Sequence, residues 1–279
     1  MSAPLEPFAP VPVAPTPPAW VRGYLTRRQP STLALLSANV LDATSLSAEG
    51  LSDAVAEVYR AILRDVRAHQ RHAVRIWNFV PSIHNELGTG DRYMAFNAGR
   101  FAAFAEWFGL SEYGAATLPT ASAVGIDGTT LWVHALASDV PGMAVENPRQ
   151  VPSYRYSKRY GLRPPCFARA TRLESTLLIG GTASIIGEDS RHVADIAAQT
   201  QETLANLRSL IAAATGIPEE DALKTLRDTR VHVTNALHAP LVRDALAQVL
   251  CADAHLEFVE AELCRKELLV EIEGIASCR

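Results

Sequence analysis

Two stretches of this chain spell the same order of elements, and that repetition constrains the fold more than any single residue does. In the first, Leu51, Val55, Val58, Ile62 and Val66 recur at helical spacing over residues 51–69. Residues 74–80 then alternate as a strand. A second helix is predicted over 91–108, with Asp91 as its cap and Gly109 as its stop. Residues 121–126 and 129–137 read as a hairpin around Asp127-Gly128. The second stretch opens with strands at 166–171 and 176–186. A long helix follows over 190–215, with Val193, Ile196, Thr200, Leu204, Leu207 and Ile211 on one side and Gly216 after it. Residues 230–234 alternate, Pro240 opens a short helix to 251, and 255–263 with 267–276 read as a hairpin around Cys264-Arg265-Lys266. Helix, strand, helix, hairpin, twice over, predicts an α+β chain of two sheets, each with helices on one face. Their bare faces must pack on each other or on a neighbour, and a seam of that kind favours a ligand.

Composition narrows the function. A net charge of −4 with scattered basic residues gives no nucleic-acid footprint. No run approaches the ~18 apolar residues of a membrane span, and the amino end reads as neither signal nor transit peptide. The four cysteines (Cys166, Cys251, Cys264 and Cys278) form no CxxC pair, which reads as reduced thiols in a cytoplasm. The eight histidines form no HxxxH or HxH pair, so no metal site is expected. Residues 1–30 read as a proline-rich flexible tail, 31–140 as the first half and 166–279 as the second. Residues 141–165 connect them. That connection holds Arg149, Arg155, Lys158, Arg159 and Arg163 among Tyr154, Tyr156 and Tyr160, a set of forked donors and hydroxyls suited to carboxylates or phosphates.

The last strand carries the chemistry. In Leu268-Leu269-Val270-Glu271-Ile272-Glu273-Gly274, Val270 and Ile272 face one way while Glu271 and Glu273 share the other. Buried carboxylates are costly unless a partner or a shifted pKa compensates, so the strand reads as the wall of a cavity.

Gly181-Thr182-Ala183-Ser184-Ile185-Ile186-Gly187, the run Gln199 to Leu207 and the closing Leu269 to Ala276 resemble the RidA/YjgF superfamily. Its deaminases hold a substrate carboxylate with an arginine that falls near Leu256 here, a departure that counts against imine deamination. Longer motifs resemble the chorismatases, built of two RidA-like (chorismate mutase-like) halves. These are Arg75-Ile76-Trp77-Asn78-Phe79-Val80-Pro81, Gly90-Asp91-Arg92-Tyr93, Phe96-Asn97-Ala98-Gly99-Arg100, Val145 to Pro152 and Tyr154 through Ser184. Against that family the amino-terminal region is short, and the first half is expected to lack an opening strand or hairpin.

The resemblance implies release of pyruvate from chorismate, leaving 3-hydroxybenzoate, with neither a metal nor an organic cofactor. Alternatives are hydrolysis to a dihydroxycyclohexadiene carboxylate or a mixture with 4-hydroxybenzoate. From another class comes a non-catalytic RidA-like metabolite-binding protein. Glu271 matches the family's catalytic acid, protonating the methylene carbon of the enolpyruvyl ether. Cys264, seven residues earlier, matches the cysteine of benzoate-forming members. Glu273 is expected to be a structural carboxylate that helps keep Glu271 protonated. Two substrate carboxylates call for two cations. Arg163 and Arg169 come first, with Tyr154 as a hydroxyl donor and Arg155, Arg149 and Arg100 in reserve. Gly180 and Gly181 would leave room for a ring. Arg92 and Tyr93 read equally as capping and core. The chain is expected to act as a monomer or a homotrimer.

Overall fold

A computed structural model of the chain describes residues 10–26, 32–109 and 118–278. A short strand β1 (Val11–Pro12) and a helix α1 (Trp20–Thr26) lead in. The first half follows as β2 (Leu33–Val40), α2 (Ala48–Ala68), β3 (His72–Pro81), α3 (Arg92–Phe108), β4 (Thr120–Ile126) and β5 (Leu131–Ser138). After β6 (Met143–Val145) and β7 (Ala170–Leu173), the second half runs β8 (Thr176–Ala183), α4 (Ile196–Thr215), β9 (Leu226–Val233), α5 (Ala239–Ala247), β10 (His255–Glu260) and β11 (Val270–Ser277). The first sheet is ordered β2-β5-β3-β4, and the core of the second repeats it as β8-β11-β9-β10. β7 and β6 extend the second sheet beyond β8, and β1 extends it beyond β10.

That order corrects both expected hairpins. β4 runs parallel to β3, with Phe79 opposite Val124, and β3 runs antiparallel to β5, with Phe79 opposite Trp132. β10 likewise pairs in parallel with β9, which separates it from β11. An Asp-Gly turn reverses the chain but does not choose its neighbour. The central place goes to β3, buried over its last eight residues, where both edges of an apolar strand are paired.

Helix ends follow local chemistry. The Asp91 carboxylate accepts from the Met94 amide at 2.8 Å, and Gly109 stops α3 in the left-handed region. α4 begins at Ile196, later than expected, because His192 and Ala194 take positive φ and Asp195 caps the Ala198 amide at 3.0 Å. The opening strand expected to be missing is present as β2, paired along its whole length with β5.

The expected flexible tail is corrected in part. Residues 1–9 and 27–31 lie outside the described residues, but β1 pairs with β10, and Trp20, Val21 and Tyr24 are buried. Trp20 meets Trp77 edge-on at 5.9 Å. Helices α2 and α3 cover the outer face of the first sheet, and α4 and α5 that of the second. The bare faces meet each other, packing Trp77, Phe79, Val124 and Leu136 against Leu178, Leu263 and Ile275. Val270 and Ile272 point outward to the helices, so Glu271 and Glu273 enter the layer between the sheets. No helix among the described residues is long and apolar enough to cross a membrane.

Candidate active site

Where the two sheets part, a cavity of about 380 Å³ opens, within the range of small-molecule sites. Its walls come from α3 and β4 of the first half, from the connecting loop, and from β8, β11 and the turn before β11. Both halves of one chain therefore complete it.

Glu271 lies in the wall, 4 % exposed, between Ala183 of β8 and His232 of β9 in register. Its Oε1 has no hydrogen-bond partner. Burial first and the charge of Glu273 second, opposed by Arg75 and Arg169, push its pKa up to about 8. An acid in that range holds its proton at neutral pH and gives it up readily. Glu273 is different. Burial alone would raise it too, but Arg75 reaches across from β3 to bind Oε2, and the Ser122 hydroxyl donates to the same oxygen at 2.7 Å. With His232 Nε2 standing 3.6 Å from Oε1, Glu273 is held down at about 2. Side by side on one face, one carboxyl is neutral and the other charged.

Gly180 and Gly181 form a β-bulge: Ile179 pairs with Gly274 and Thr182 with Ile272, three steps against two. A Cβ on Gly181 would fall 2.0 Å from Glu271 Oε1, so this glycine makes room for the acid's own carboxyl. Gly180 does not border the cavity. A Cβ there would meet Thr120 Cγ2 at 2.8 Å and the Ala121 carbonyl at 3.1 Å, so its role is the close approach of β8 to β4. Cys264 borders the cavity, and burial, with Glu271 adding to it, pushes its thiol up to about 12. It is a neutral, weakly polar wall rather than a nucleophile.

Of the expected cations, Arg169 is in place. It is 5 % exposed and donates to the Tyr156 hydroxyl at 2.6 Å and the Val151 carbonyl at 3.1 Å. Arg163, Arg155 and Tyr154 are not in the cavity wall. Arg163 is exposed, with its guanidinium over the Phe101 ring at 5.1 Å. Arg155 is exposed too and sits over the ring of Tyr154, which packs into the α2–α3 core. Of the reserves, Arg149 is paired with Glu202 at 2.6 Å, whereas Arg100 lines the cavity. Arg92 is structural, donating to the Ala43 carbonyl at 2.7 Å, while Tyr93 beside it lines the cavity.

Arg100 is 1 % exposed and donates to Asn97 at 2.8 Å. Among the described residues no carboxylate lies within 4.0 Å of Arg100 or of Arg169. Glu146, whose field reaches Arg169, makes no hydrogen bond, and burial pushes it up to about 7. Two buried guanidiniums with no carboxylate in contact are expensive, and they give the cavity a positive lining. Phe167 lies under both, 5.6 Å from Arg100 and 5.1 Å from Arg169, as a flat apolar surface. Tyr156, Tyr160 and Arg265 close the other side, with Arg265 over the Tyr160 ring at 3.9 Å.

Sequence reasoning held Arg100 in reserve and left out Asn97, Phe167 and Arg265, all of which line the cavity. A signal for the first two of these polar groups was present. Asn97 and Arg100 stand three apart on the face of α3 that also buries Phe96 and Phe104. Polar side chains on a buried helix face need partners, and here they face the cavity. Arg265 carried no such pattern.

The chain is thus an α+β protein of two like halves, with a buried acid and two buried arginines lining a cavity at their seam. Residues 23–137 match the family model described as chorismatase FkbO/Hyg5-like, N-terminal. A 3-hydroxybenzoate synthase of Streptomyces hygroscopicus is 35 % identical over 72 % of this chain and 62 % of its own length. A chorismatase of the same organism is 30 % identical over 81 % of this chain and 68 % of its own. A chorismatase crystal structure superposes with a TM-score of 0.76 at 29 % identity, over 87 % of this chain and 75 % of that one. The chain belongs to the chorismatase family. It spans a little over three fifths of the length of the 3-hydroxybenzoate synthase it matches.

Proposed function

We propose that this chain converts chorismate to 3-hydroxybenzoate and pyruvate. One observation carries the reading: a carboxylic acid whose pKa burial raises faces a cavity lined by two buried arginines with no carboxylate in contact. Chorismate carries two carboxylates on an apolar ring system, and Arg100 and Arg169 flanking Phe167 fit that pattern. Glu271 delivers its proton to the terminal methylene carbon of the enolpyruvyl ether, and the double bond becomes an oxocarbenium ion. The buried carboxylate left behind stabilises that cation. Attack by the substrate's neighbouring hydroxyl system, with loss of pyruvate and rearomatisation, yields the benzoate without net consumption of water. The Cys264 thiol displaces the water whose attack would instead give the diene diol. Its neutrality suits it to that place. The cavity is complete within one chain, which favours the monomer as the active unit.

The test is direct. Purified protein with chorismate is expected to release pyruvate in a coupled dehydrogenase assay, with 3-hydroxybenzoate as the main chromatographic product. No pyruvate overturns the reading; pyruvate with diene diol or 4-hydroxybenzoate overturns only the product. Because Glu271 must hold its proton, turnover should fall as pH rises through about 8.

A further inference from the structure

We propose that Arg75 and Ser122, contributed by the first half, fix Glu273 as a permanent carboxylate whose charge keeps Glu271 in its acid form. The inference rests on Glu271 being the proton donor. It makes Glu273 and Arg75 positioning residues, since neither borders the cavity.

The geometry is specific. Glu271 and Glu273 are two residues apart on one face of β11, about 7 Å by strand rise. Both are buried, so solvent screens their interaction little. Two buried carboxyls this close share protons unequally, and the environment chooses which stays neutral. Among the described residues, the hydrogen bonds and ion pairs to this pair of carboxyls are made at Glu273. Arg75, itself unexposed, donates to Glu273 Oε2 and to Ser122 Oγ at 2.8 Å, and its guanidinium lies over the Trp77 ring at 4.7 Å. Ser122 donates to Glu273, and His232 faces its other oxygen. Arg230 of β9, in register with Glu273, is occupied by Glu257 at 2.8 Å. Beside Glu271 stand Gly181, the neutral thiol of Cys264, the phenol of Tyr93, His232 in register on β9, and Arg169, whose hydrogen bonds go elsewhere; the charge of Arg75 also reaches it and opposes Glu273. Arg75 thus binds the carboxyl that must stay charged and leaves the one that must stay protonated. The two halves act on one proton: the second holds it and the first sets its affinity.

The test needs no turnover. In the substrate-free full chain labelled with carboxyl-¹³C glutamate, Glu271→Gln and Glu273→Gln assign the two buried signals. The proposal expects Glu273 ionised from pH 5 to 9 and Glu271 titrating above neutrality; Glu273 holding the proton overturns it. In Glu273→Gln, loss of the neighbouring charge is expected to lower the Glu271 pKa by at least about one unit, a tenfold change in proton affinity. The alkaline limb of the pH–rate profile should move down with it. The double variant Arg75→Met/Glu273→Gln leaves no unpaired charge and serves if the single variant fails to fold. Its shift should be smaller, because the opposing charge of Arg75 is gone as well. An unchanged Glu271 titration in these variants would mean burial alone sets the acid, and the proposal fails. Absence of pyruvate from the wild type defeats the functional reading alone, since the titration is read without substrate.

Discussion

The two halves share one strand order yet bring opposite things to their seam. On the inner face of β11 the second half carries Glu271, Glu273 and Ile275, whereas the inner face of β5 carries Trp132, His134 and Leu136. Where one half placed acids, the other placed rings and a histidine. His134 Nε2 donates to the Pro15 carbonyl at 2.9 Å and Nδ1 accepts from Ser37 at 2.7 Å, pinning the amino-terminal segment. The first half instead supplies positive charge: Arg75 from a strand and Arg100 from a helix, both buried. Each half alone would hold charges that nothing offsets. A repeated fold can thus divide one site, giving the acid to one copy and sharing the cavity's buried cations, Arg100 and Arg169, between both.

The comparison breaks most visibly at Glu271. Glu271→Gln is expected to cut pyruvate release by about 10²-fold or more, with a melting temperature no lower than the wild type. The sign follows from its raised pKa. Between about 4.5 and 8 the folded chain holds a proton the unfolded chain releases, so Glu271 costs stability as pH rises through that window. A glutamine carries no such cost.

The neighbouring glycines sharpen the point. Gly181→Ala drives a methyl into the Glu271 carboxyl and should lower kcat by roughly tenfold to a hundredfold, since small displacements of a reacting group are costly. Gly180→Ala, one residue away, presses on Thr120 across the seam and should cost about 1–3 kcal/mol of stability by overpacking. Thermal unfolding beside steady-state kinetics separates the two.

Arg100→Met tests the first half's contribution to binding. It removes a buried unpaired cation, so the free protein should melt no earlier, while KM for chorismate rises roughly tenfold to a hundredfold, the worth of a charged hydrogen bond. A lower melting temperature with unchanged KM would return Arg100 to the core. The smallest effect on rate is expected from Cys264→Ala, in which pyruvate release persists while chromatography shows product moving toward the diene diol.

Local chemistry was well legible in the sequence. Asp91 and Gly109 bounded α3, the alternation of residues 74–80 named β3, and the period of two on β11 separated Val270 and Ile272 from the two glutamates. Those signals depend on neighbours a few residues apart, and the chain itself contains them. Pairing was not legible. The central strand of each sheet is inserted between two strands that follow one another, and no turn residue encodes that. The same limit governs the site. Glu271, Cys264, Arg169 and Gly181, singled out in the sequence, all line the cavity, because each lies in or beside the second half's own strands. Sequence reasoning placed Arg163, Arg155 and Tyr154 there by nearness along the chain, and nearness along a loop says little about direction in space. It gave no sign that Arg75 binds Glu273, a contact 198 residues apart. The sequence by itself determined which residues are acids, which face of the strand bears them and which family the motifs resemble. Only the tertiary structure decided which acid keeps its proton, because that depends on which carboxyl the packed sheets bring to an arginine.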